Sequence, residues 1–178
     1  MYGDKRLSPK AHWWSAVAIF LGSWLSGFFI IATDAWMQNP VGYFTAPDGS
    51  MQLGSFWALI LNPWAWWQYA HNMCGAVITG TFAMASVGAF YLLWGKYEEH
   101  GRIFVRVGVT VGIVASIIQL FPTGDGQGRL LAQKQPTTLA AMEALFESSN
   151  NAPLVLIGQP DIPQRKIDNP LVLPGMNG

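Results

Sequence analysis

Three long stretches of uncharged, mostly apolar residues dominate the hydrophobic pattern of the 178-residue chain. The first, residues 13–33, has 21 positions and would span about 31 Å as a helix, which matches one hydrocarbon core. The second covers 72–94, and the third covers 103–121 with Arg106 near its start, where an arginine can reach the headgroups. The pattern predicts three transmembrane helices, at about 13–33, 63–95 and 103–122.

The connection between the first two predicted helices contains a start signal for the second. Asn62 followed by Pro63 is typical of a helix N-terminus, with the amide side chain as cap and proline at the first helical position. A helix that begins at Pro63 places His71 where the headgroups give way to hydrocarbon. The apolar residues 51–61 before this signal are too few to span a bilayer, and they predict a helix lying in the membrane interface.

The basic residues are distributed unevenly between the two sides of the predicted membrane domain. Six lie before the first helix or around the turn between the second and third helices: Lys5, Arg6, Lys10, Lys96, Arg102 and Arg106. Two, Arg129 and Lys134, follow the third helix, and the connection at 34–69 has none. The positive-inside rule therefore predicts a cytoplasmic N-terminus and helix turn, with the 34–71 loop and everything after residue 122 outside.

The last part of the chain is more polar and predicts a segment outside the membrane. Residues 122–136 form a glycine-rich polar stretch, and Pro136 begins a short helical pattern. Beyond Asn150, five prolines without clear periodicity predict irregular, exposed structure. The predicted organisation is a membrane domain over residues 1–123 and an extracytoplasmic segment over residues 124–178.

Composition strengthens the membrane interpretation. Hydrophobic residues make up 51% of the chain and charged residues 11%, whereas soluble domains average about 25% charged residues. Nine tryptophans point the same way, because indole rings favour the membrane interface. The zero net charge does not indicate nucleic-acid binding, and the single cysteine, Cys74, excludes an internal disulfide and a CxxC metal site. The predicted fold class is an all-α, polytopic transmembrane helix bundle.

His71 is the candidate for chemistry, and two interpretations of it are open. An imidazole at headgroup level can be an ordinary interfacial residue with one hydrogen bond. Alternatively, a neutral imidazole can offer one ring nitrogen to a heme iron. Gly75 follows His71 at i+4, which leaves a flat slot for a porphyrin on that face. The same small residue, with Gly80 and Gly88, could instead serve close helix packing.

A heme on His71 needs a second axial ligand from elsewhere. His12 and His100 are predicted on the cytoplasmic side, a membrane thickness away, which excludes a bis-histidine heme within this chain. The donors left are another polypeptide segment or one of four methionines: Met37, Met51, Met142 and Met176.

Several stretches together resemble subunit I of the cytochrome bd-type quinol oxidases. The segment "GSWLSGFFIIATDAWMQNPVGY" (22–43) is similar to the family's fourth helix and following outer loop, and residues 61–93, with the NP start and the histidine, are similar to the next helix. Residues 124–148, with the pattern QPxxxAAxE, resemble the segment leading into the quinol-binding loop, and GQPD (158–161) resembles a turn that follows. The similarity covers nearly the whole chain.

The resemblance implies roles for particular residues. His71 matches the axial ligand of the low-spin heme b that accepts electrons from quinol, and the family's other ligand is a methionine that would lie beyond Gly178. Residues 36–40 (Trp36, Met37, Gln38, Asn39 and Pro40) match a loop packed over this region. Three residues match the family's QP…E segment, whose polar groups would be structural or line the base of the quinol loop: Gln135, Pro136 and Glu143.

Two positions depart from the family pattern, and part of the family's ligand set is absent. Asp34 stands where asparagine is more common, so its extra charge would need a partner or protonation. Thr138 stands where many relatives have lysine. The helices that ligate the further heme b and heme d have no counterpart in this chain, so those hemes are expected only in the complete complex.

The resemblance implies a middle piece of a nine-helix subunit in a terminal oxidase of the bacterial cytoplasmic membrane. Such an enzyme oxidises ubiquinol or menaquinol at the outer face, passes electrons through heme b, reduces dioxygen to water and builds a proton gradient. The implied partners are oxidase subunit II, the remaining helices of subunit I and membrane lipid. The chain alone would lack the oxygen-reducing site.

A second interpretation is a small, non-catalytic protein of three helices that packs against membrane partners, or assists their assembly, without a cofactor. It rests on the same small-residue pattern and on the incomplete ligand set. A transporter is less favoured, because neither broken helices nor ionisable groups at the membrane midplane are evident in the sequence.

Overall fold

The computed structural model describes residues 6–148 and 154–173. The chain divides into two compact units, residues 1–127 and 128–178, and each is described by itself. Lys5, which contributed to the predicted orientation, and Met176, a predicted candidate ligand, lie outside the described residues.

The first long helix, α1, runs from Pro9 to Gln38 and extends the predicted 13–33 span at both ends. Ser8 caps it by accepting a hydrogen bond from the Ala11 N–H at 3.3 Å, and proline occupies the first turn, where its missing N–H costs nothing. The 30 residues of α1 correspond to about 45 Å, enough to cross the hydrocarbon core and both interfaces.

The connection after α1 forms a hairpin and a short helix. Strands β1 (Tyr43–Thr45) and β2 (Met51–Leu53) pair antiparallel, and helix α2 covers only Phe56–Ile60. The predicted helix over 51–61 was therefore wrong in its first half. Ser55 starts the helix by accepting a hydrogen bond from an amide of its first turn, and the unbroken apolar pattern before it could not distinguish a strand from a helix.

The second long helix, α3, runs from Pro63 to Trp94 and confirms the predicted start signal. Asn62 caps it by accepting a hydrogen bond from the Trp64 N–H at 3.1 Å. Gly95 ends it in the left-handed conformation, with φ 67°, which glycine adopts without the strain that a Cβ atom would cause.

The third long helix, α4 (Glu98–Ile118), begins before the predicted start at residue 103. His100 and Arg102 consequently belong to the helix and not to a loop. Arg102 Nη2 lies 3.2 Å from Glu98 Oε2 in an exposed ion pair, and such pairs add little stability.

The predicted end of the third helix at residue 122 was wrong. A π-helical turn, Gln119–Gly124, follows α4 directly, and helix α5 (Asp125–Lys134) follows that turn. The glycine-rich polar stretch is thus helical as far as Lys134. Glycine lowers helix propensity but does not prevent a helix when tertiary contacts support it.

Helices α3 and α4 pack closely because glycines remove the side chains between them. A Cβ atom at Gly88 would lie 2.8 Å from Gly101 O, and one at Gly101 would lie 2.9 Å from Gly88 O. A Cβ atom at Gly108 would lie 2.5 Å from Thr81 O. The predicted packing role therefore holds for Gly88, whereas Gly80 has no atom within 4 Å of such a Cβ position.

In the second unit, a β-hairpin replaces the irregular structure predicted beyond Asn150. Helix α6 (Pro136–Met142) begins at the predicted proline. Strand β3 (Leu154–Asp161) pairs antiparallel with β4 (Lys166–Leu173), and the GQPD segment 158–161 belongs to β3 and not to a turn.

The sequence pattern concealed this hairpin for two reasons. Register shifts on both sides of Ile157 interrupt the pairing, and such bulges break the two-residue alternation that signals a strand. Pro160 and Pro170 lie within the strands, where they are tolerated because each strand of a two-stranded sheet has an unpaired edge.

Within residues 6–148 and 154–173, three helices are long and apolar enough to cross a membrane: Pro9–Gln38, Pro63–Trp94 and Glu98–Lys134. Large apolar side chains on them, such as Ile19, Phe90 and Ile113, are more than half exposed, as expected of surfaces that lipid covers. The mostly helical architecture with three apolar helices confirms the predicted fold class, with the two small hairpins as additions.

Candidate functional site

His71 lies on α3, about two turns after the helix begins, and faces the π-helical turn that follows α4. Its Nε2 atom is 3.1 Å from Gln119 Nε2, and its Nδ1 atom is 3.4 Å from Thr123 Oγ1. Thr123 is buried, and the other two side chains are half-buried. The imidazole is therefore held between two polar side chains of one turn, in an otherwise apolar part of the protein.

Pro122 explains the shape of this turn. Proline has no N–H, so in a regular α-helix it would leave the carbonyl of Ile118 without its partner. In a π-helical turn the N–H of the residue five positions on takes that place, and the Thr123 hydroxyl also donates to this backbone, with its oxygen 3.0 Å from Ile118 O and 3.3 Å from Gln119 O. The wider turn that results brings the threonine hydroxyl to the imidazole.

The hydrogen-bond pattern assigns the imidazole proton. The amide nitrogen of Gln119 can only donate, so Nε2 of His71 accepts there. The hydroxyl of Thr123 already donates to the backbone, so its oxygen accepts from Nδ1. Both contacts give the same tautomer, with the proton on Nδ1 and the lone pair on Nε2.

Small residues keep the surroundings of the imidazole open. A Cβ atom at Gly75 would lie 3.8 Å from Gln119 Nε2, and one at Gly124 would lie 3.7 Å from His71 Cε1. Beside this site, residues of all three long helices and the π-helical turn line an apolar cavity of about 460 Å³, among them Trp24, Tyr69, Ala70, Cys74, Ala115 and Thr123.

Hydrogen bonds fix the outer ends of the helices around the site. Asn62 Nδ2 donates to Asn39 O at 3.4 Å, which ties the start of α3 to the 36–40 segment. Trp64 is 1% exposed and donates from its indole Nε1 to Gln127 Oε1 at 2.9 Å. The first turn of α3 is therefore attached both to the end of α1 and to the start of α5.

Asp34 has two partners for its carboxylate. Its Oδ2 atom accepts hydrogen bonds from Gln38 Nε2, at 2.8 Å, and from Gln68 Nε2. The hydrogen bond from Gln68, on α3, ties that helix to α1. Gln68 lies three residues before His71, which links the departure from the family pattern to the helix that carries the imidazole.

Among the described residues, the other candidate ligands in the first unit are not hydrogen-bonded to the imidazole. His100 is in the first turn of α4, about 29 Å along that helix from Gln119. Met37 and Met51 are 68% and 54% exposed. Within the described residues, the hydrogen-bond partners of His71 are Gln119 and Thr123, and no three His, Cys, Asp or Glu side chains form a group that could hold a metal ion.

The remaining predicted residues belong to the second unit. Gln135 precedes the first turn of α6, and Thr138 Oγ1 donates to Gln135 Oε1 at 3.4 Å. Glu143 ends the helix, with its N–H donating to Leu139 O at 2.9 Å. Met142 is 69% exposed.

Gln119 and Thr123 are site residues that the sequence did not reveal. Their segment, SIIQLFPTGD (116–125), combines the apolar end of a predicted span with a proline and a polar stretch. The signal that could have found them is Pro122, four residues after Ile118 within a helical pattern. Because proline has no N–H, the Ile118 carbonyl needs a donor other than residue 122.

Comparisons with known proteins identify the family of this chain. The family model for cytochrome bd terminal oxidase subunit I matches residues 1–178. The chain belongs to this family. The resemblance noted in the sequence is thus confirmed for the whole chain.

Curated cytochrome bd relatives agree with this assignment. The chain is 33% identical to cytochrome bd ubiquinol oxidase subunit 1 of Bacillus subtilis (strain 168), over 85% of this chain and 32% of the relative. It is 29% identical to cytochrome bd-II ubiquinol oxidase subunit 1 of Escherichia coli (strain K12), over 99% of this chain and 35% of the relative. It is 28% identical to a putative cytochrome bd menaquinol oxidase subunit I of Bacillus subtilis (strain 168), over 98% of this chain and 40% of the relative. The chain therefore spans 32–40% of the length of these relatives.

A cytochrome holds heme, and the residues around His71 fit one imidazole ligand to such a group. The Nε2 lone pair faces away from the Thr123 contact and meets only the amide of a flexible glutamine. That amide is poorly satisfied, because among the described residues the buried Gln119 Oε1 has no hydrogen-bond partner. Gly75 places no side chain on this face, and the neighbouring cavity walls are apolar.

Proposed function

We propose that this chain forms the heme-ligating middle part of subunit I in a terminal oxidase that oxidises quinol and reduces dioxygen to water. Membership of the cytochrome bd family and the three apolar helices support this function. In this proposal His71 would hold a low-spin heme b through Nε2, and a segment outside the chain would supply the second ligand. When bound, heme b supplies reversible one-electron transfer.

The observation that carries the proposal is the environment of His71. Thr123 occupies Nδ1, and among the described residues Nε2 accepts only from the amide of the Gln119 side chain, on the side where Gly75 carries no side chain. A histidine that ligates a metal through one nitrogen characteristically donates from the other to a fixed acceptor. An ordinary interfacial histidine requires one hydrogen bond and neither a fixed tautomer nor an adjacent apolar cavity.

Substrate and partners follow from the names of the relatives. Two are called ubiquinol oxidases and one a putative menaquinol oxidase, so ubiquinol or menaquinol is the proposed substrate. The proposed partners are oxidase subunit II, the rest of subunit I and membrane lipid. The oxygen-reducing site, with a further heme b and heme d, lies outside this chain in the proposal, and turnover would build a proton gradient.

A cofactor-free packing protein is the weaker candidate. Gly88, Gly101 and Gly108 do serve close packing of α3 against α4. Gly75, however, lies on another part of α3 and faces Gln119. Packing between α3 and α4 therefore does not account for the small residue beside the imidazole.

Oxygen uptake tests the proposed activity. Membranes from a strain without other terminal oxidases, expressing the complete complex that contains this chain, should consume oxygen when ubiquinol or menaquinol is added. Membranes from the same strain with an empty vector supply the control. If the complex is assembled with its hemes and neither quinol drives oxygen uptake, the proposed reaction is wrong.

The orientation of the chain gives a further expected result. Lys10, Lys96 and Arg102 lie at one end of the three long helices, whereas the 39–62 connection has no basic residue, so the positive-inside rule places that connection outside. In a cysteine-free background, Ser50→Cys should react with a membrane-impermeant maleimide in intact spheroplasts, and Lys96→Cys should react only after permeabilisation. The reverse labelling pattern would contradict the proposed topology.

A further inference from the structure

A buried hydroxyl group, and not a carboxylate, lies against the second nitrogen of His71. Thr123 Oγ1 is 3.4 Å from Nδ1, and the residue is 6% exposed. Its hydroxyl proton is directed to the Ile118 carbonyl at 3.0 Å. A hydroxyl whose proton is engaged in this way can only accept from the imidazole.

The position of this hydroxyl depends on the π-helical turn. Pro122 has no N–H for the carbonyl of Ile118, and in the wider π-helical turn the next residue, Thr123, faces that carbonyl instead. The hydroxyl oxygen is held against the backbone of this turn, 3.0 Å from Ile118 O and 3.3 Å from Gln119 O. A buried hydroxyl that donates to these carbonyls has its one proton engaged and offers its oxygen to the imidazole.

We propose that Thr123 is the positioning residue for the heme ligand: it holds the His71 imidazole as the Nδ1–H tautomer and directs the Nε2 lone pair to the iron. This inference rests on the proposed function of His71. Thr123 itself does not contact the cofactor or the substrate in this role.

Gln119 complements this arrangement. Its amide donates to Nε2 at 3.1 Å, the atom that must be free for a metal to bind. The Gln119 side chain has rotatable bonds, and its buried Oε1 atom has no hydrogen-bond partner among the described residues. Moving the amide away from Nε2 therefore breaks no hydrogen bond of Oε1. Thr123 is thus the fixed partner of the imidazole, and Gln119 is the exchangeable one.

The proposal predicts a change in heme properties when the hydroxyl alone is removed. A hydrogen bond from Nδ1–H to an acceptor makes the imidazole a stronger electron donor, which favours ferric heme. In the assembled complex, Thr123→Val should therefore raise the midpoint potential of the low-spin heme and weaken its retention by about tenfold, as for other partners of metal-bound histidines. Thr123→Ser retains the hydroxyl and should keep both properties near those of the unmodified protein.

Two measurements separate positioning from general damage. Redox titration followed by optical spectroscopy gives the midpoint potential, and pulsed EPR of the ferric low-spin heme gives the quadrupole coupling of the remote imidazole nitrogen, which responds to its hydrogen bond. Thr79→Val is the matched control, because Thr79 is exposed on α3 and its hydroxyl donates to Gly75 O at 2.9 Å. This control should leave the potential and the nitrogen coupling unchanged.

The outcomes distinguish this inference from the proposed function. Unchanged potential and nitrogen coupling in Thr123→Val would overturn the positioning role. If Thr123→Val does not assemble, pulsed EPR of the unmodified complex decides instead, since a remote nitrogen without a hydrogen-bonded, exchangeable proton would overturn it. Retention of the low-spin heme in His71→Ala would refute the proposed ligand itself. If His71→Ala loses the heme but Thr123→Val keeps the normal midpoint potential and nitrogen coupling, only the role of Thr123 is refuted.

Discussion

Replacing His71 with alanine should remove the low-spin heme b from the assembled oxidase and leave the rest of the pigment in place. Alanine removes the imidazole that Thr123 orients, and with it the Nε2 lone pair that would bind the iron. Loss of a hydrogen-bond partner of a metal-bound histidine costs about 10–100-fold in metal affinity, so loss of the histidine itself should cost more. Quinol-driven oxygen uptake should fall by at least about 100-fold, because quinol oxidation requires that heme in the proposed function.

Reduced-minus-oxidised absorbance spectra of purified complex measure this directly. His100→Ala is the matched control, since it removes an exposed imidazole from the first turn of α4 and should leave the spectrum intact. His71→Gly with added imidazole provides a second measurement, in which a free ligand in the space of the side chain should restore part of the signal. A full low-spin heme signal in His71→Ala, with normal oxygen uptake, would eliminate this residue as the ligand.

Introducing leucine at Gly108 should prevent assembly of the membrane domain. A Cβ atom at this position would lie 2.5 Å from Thr81 O and 2.9 Å from Ala85 Cβ. The nearest atom belongs to the backbone, so α3 and α4 must separate. Overpacking of a filled interface costs about 1–3 kcal/mol, and a cost of about 2 kcal/mol lowers the ratio of folded to unfolded protein by a factor of about 30. The amount of complex recovered by detergent extraction and size-exclusion chromatography should fall accordingly.

Gly22→Leu tests whether the effect arises from packing. Gly22 is also in an apolar helix, α1, but no atom lies within 4 Å of a Cβ position there. Leucine has a higher helix propensity than glycine, so within this chain the variant should be tolerated. Equal losses in both variants would show that any larger side chain disturbs the protein, and the close contact of α3 and α4 would then not explain the result for Gly108.

The long helices could be predicted because their cause is local. An uncharged run of about 20 residues in lipid must satisfy its own backbone hydrogen bonds, and a helix does so within one segment. The start of α3 was equally local, since Asn62 and Pro63 supply a cap and a first position without help from other elements. His71 was identified as a candidate for the same reason, as an imidazole at the outer end of such a run.

The short elements were predicted less well because neighbours decide them. The segment at 51–61 has one continuous apolar pattern but divides into a strand and a helix at Ser55. The strands around Ile157 pair despite bulges and prolines, since the partner strand supplies hydrogen bonds that the local pattern does not indicate.

The sequence by itself determined that this chain has three apolar helices, where the second begins, and that an imidazole stands near its outer end, because length, apolarity and capping act within a few residues. Only the tertiary structure decided which groups meet that imidazole. Gln119 and Thr123 are about 50 residues away from it in the chain, and they reach it because Pro122 forces a wider helical turn and because glycines let α4 approach α3. A contact of this kind depends on helix register and on the distance between two backbones, neither of which is a property of any single segment.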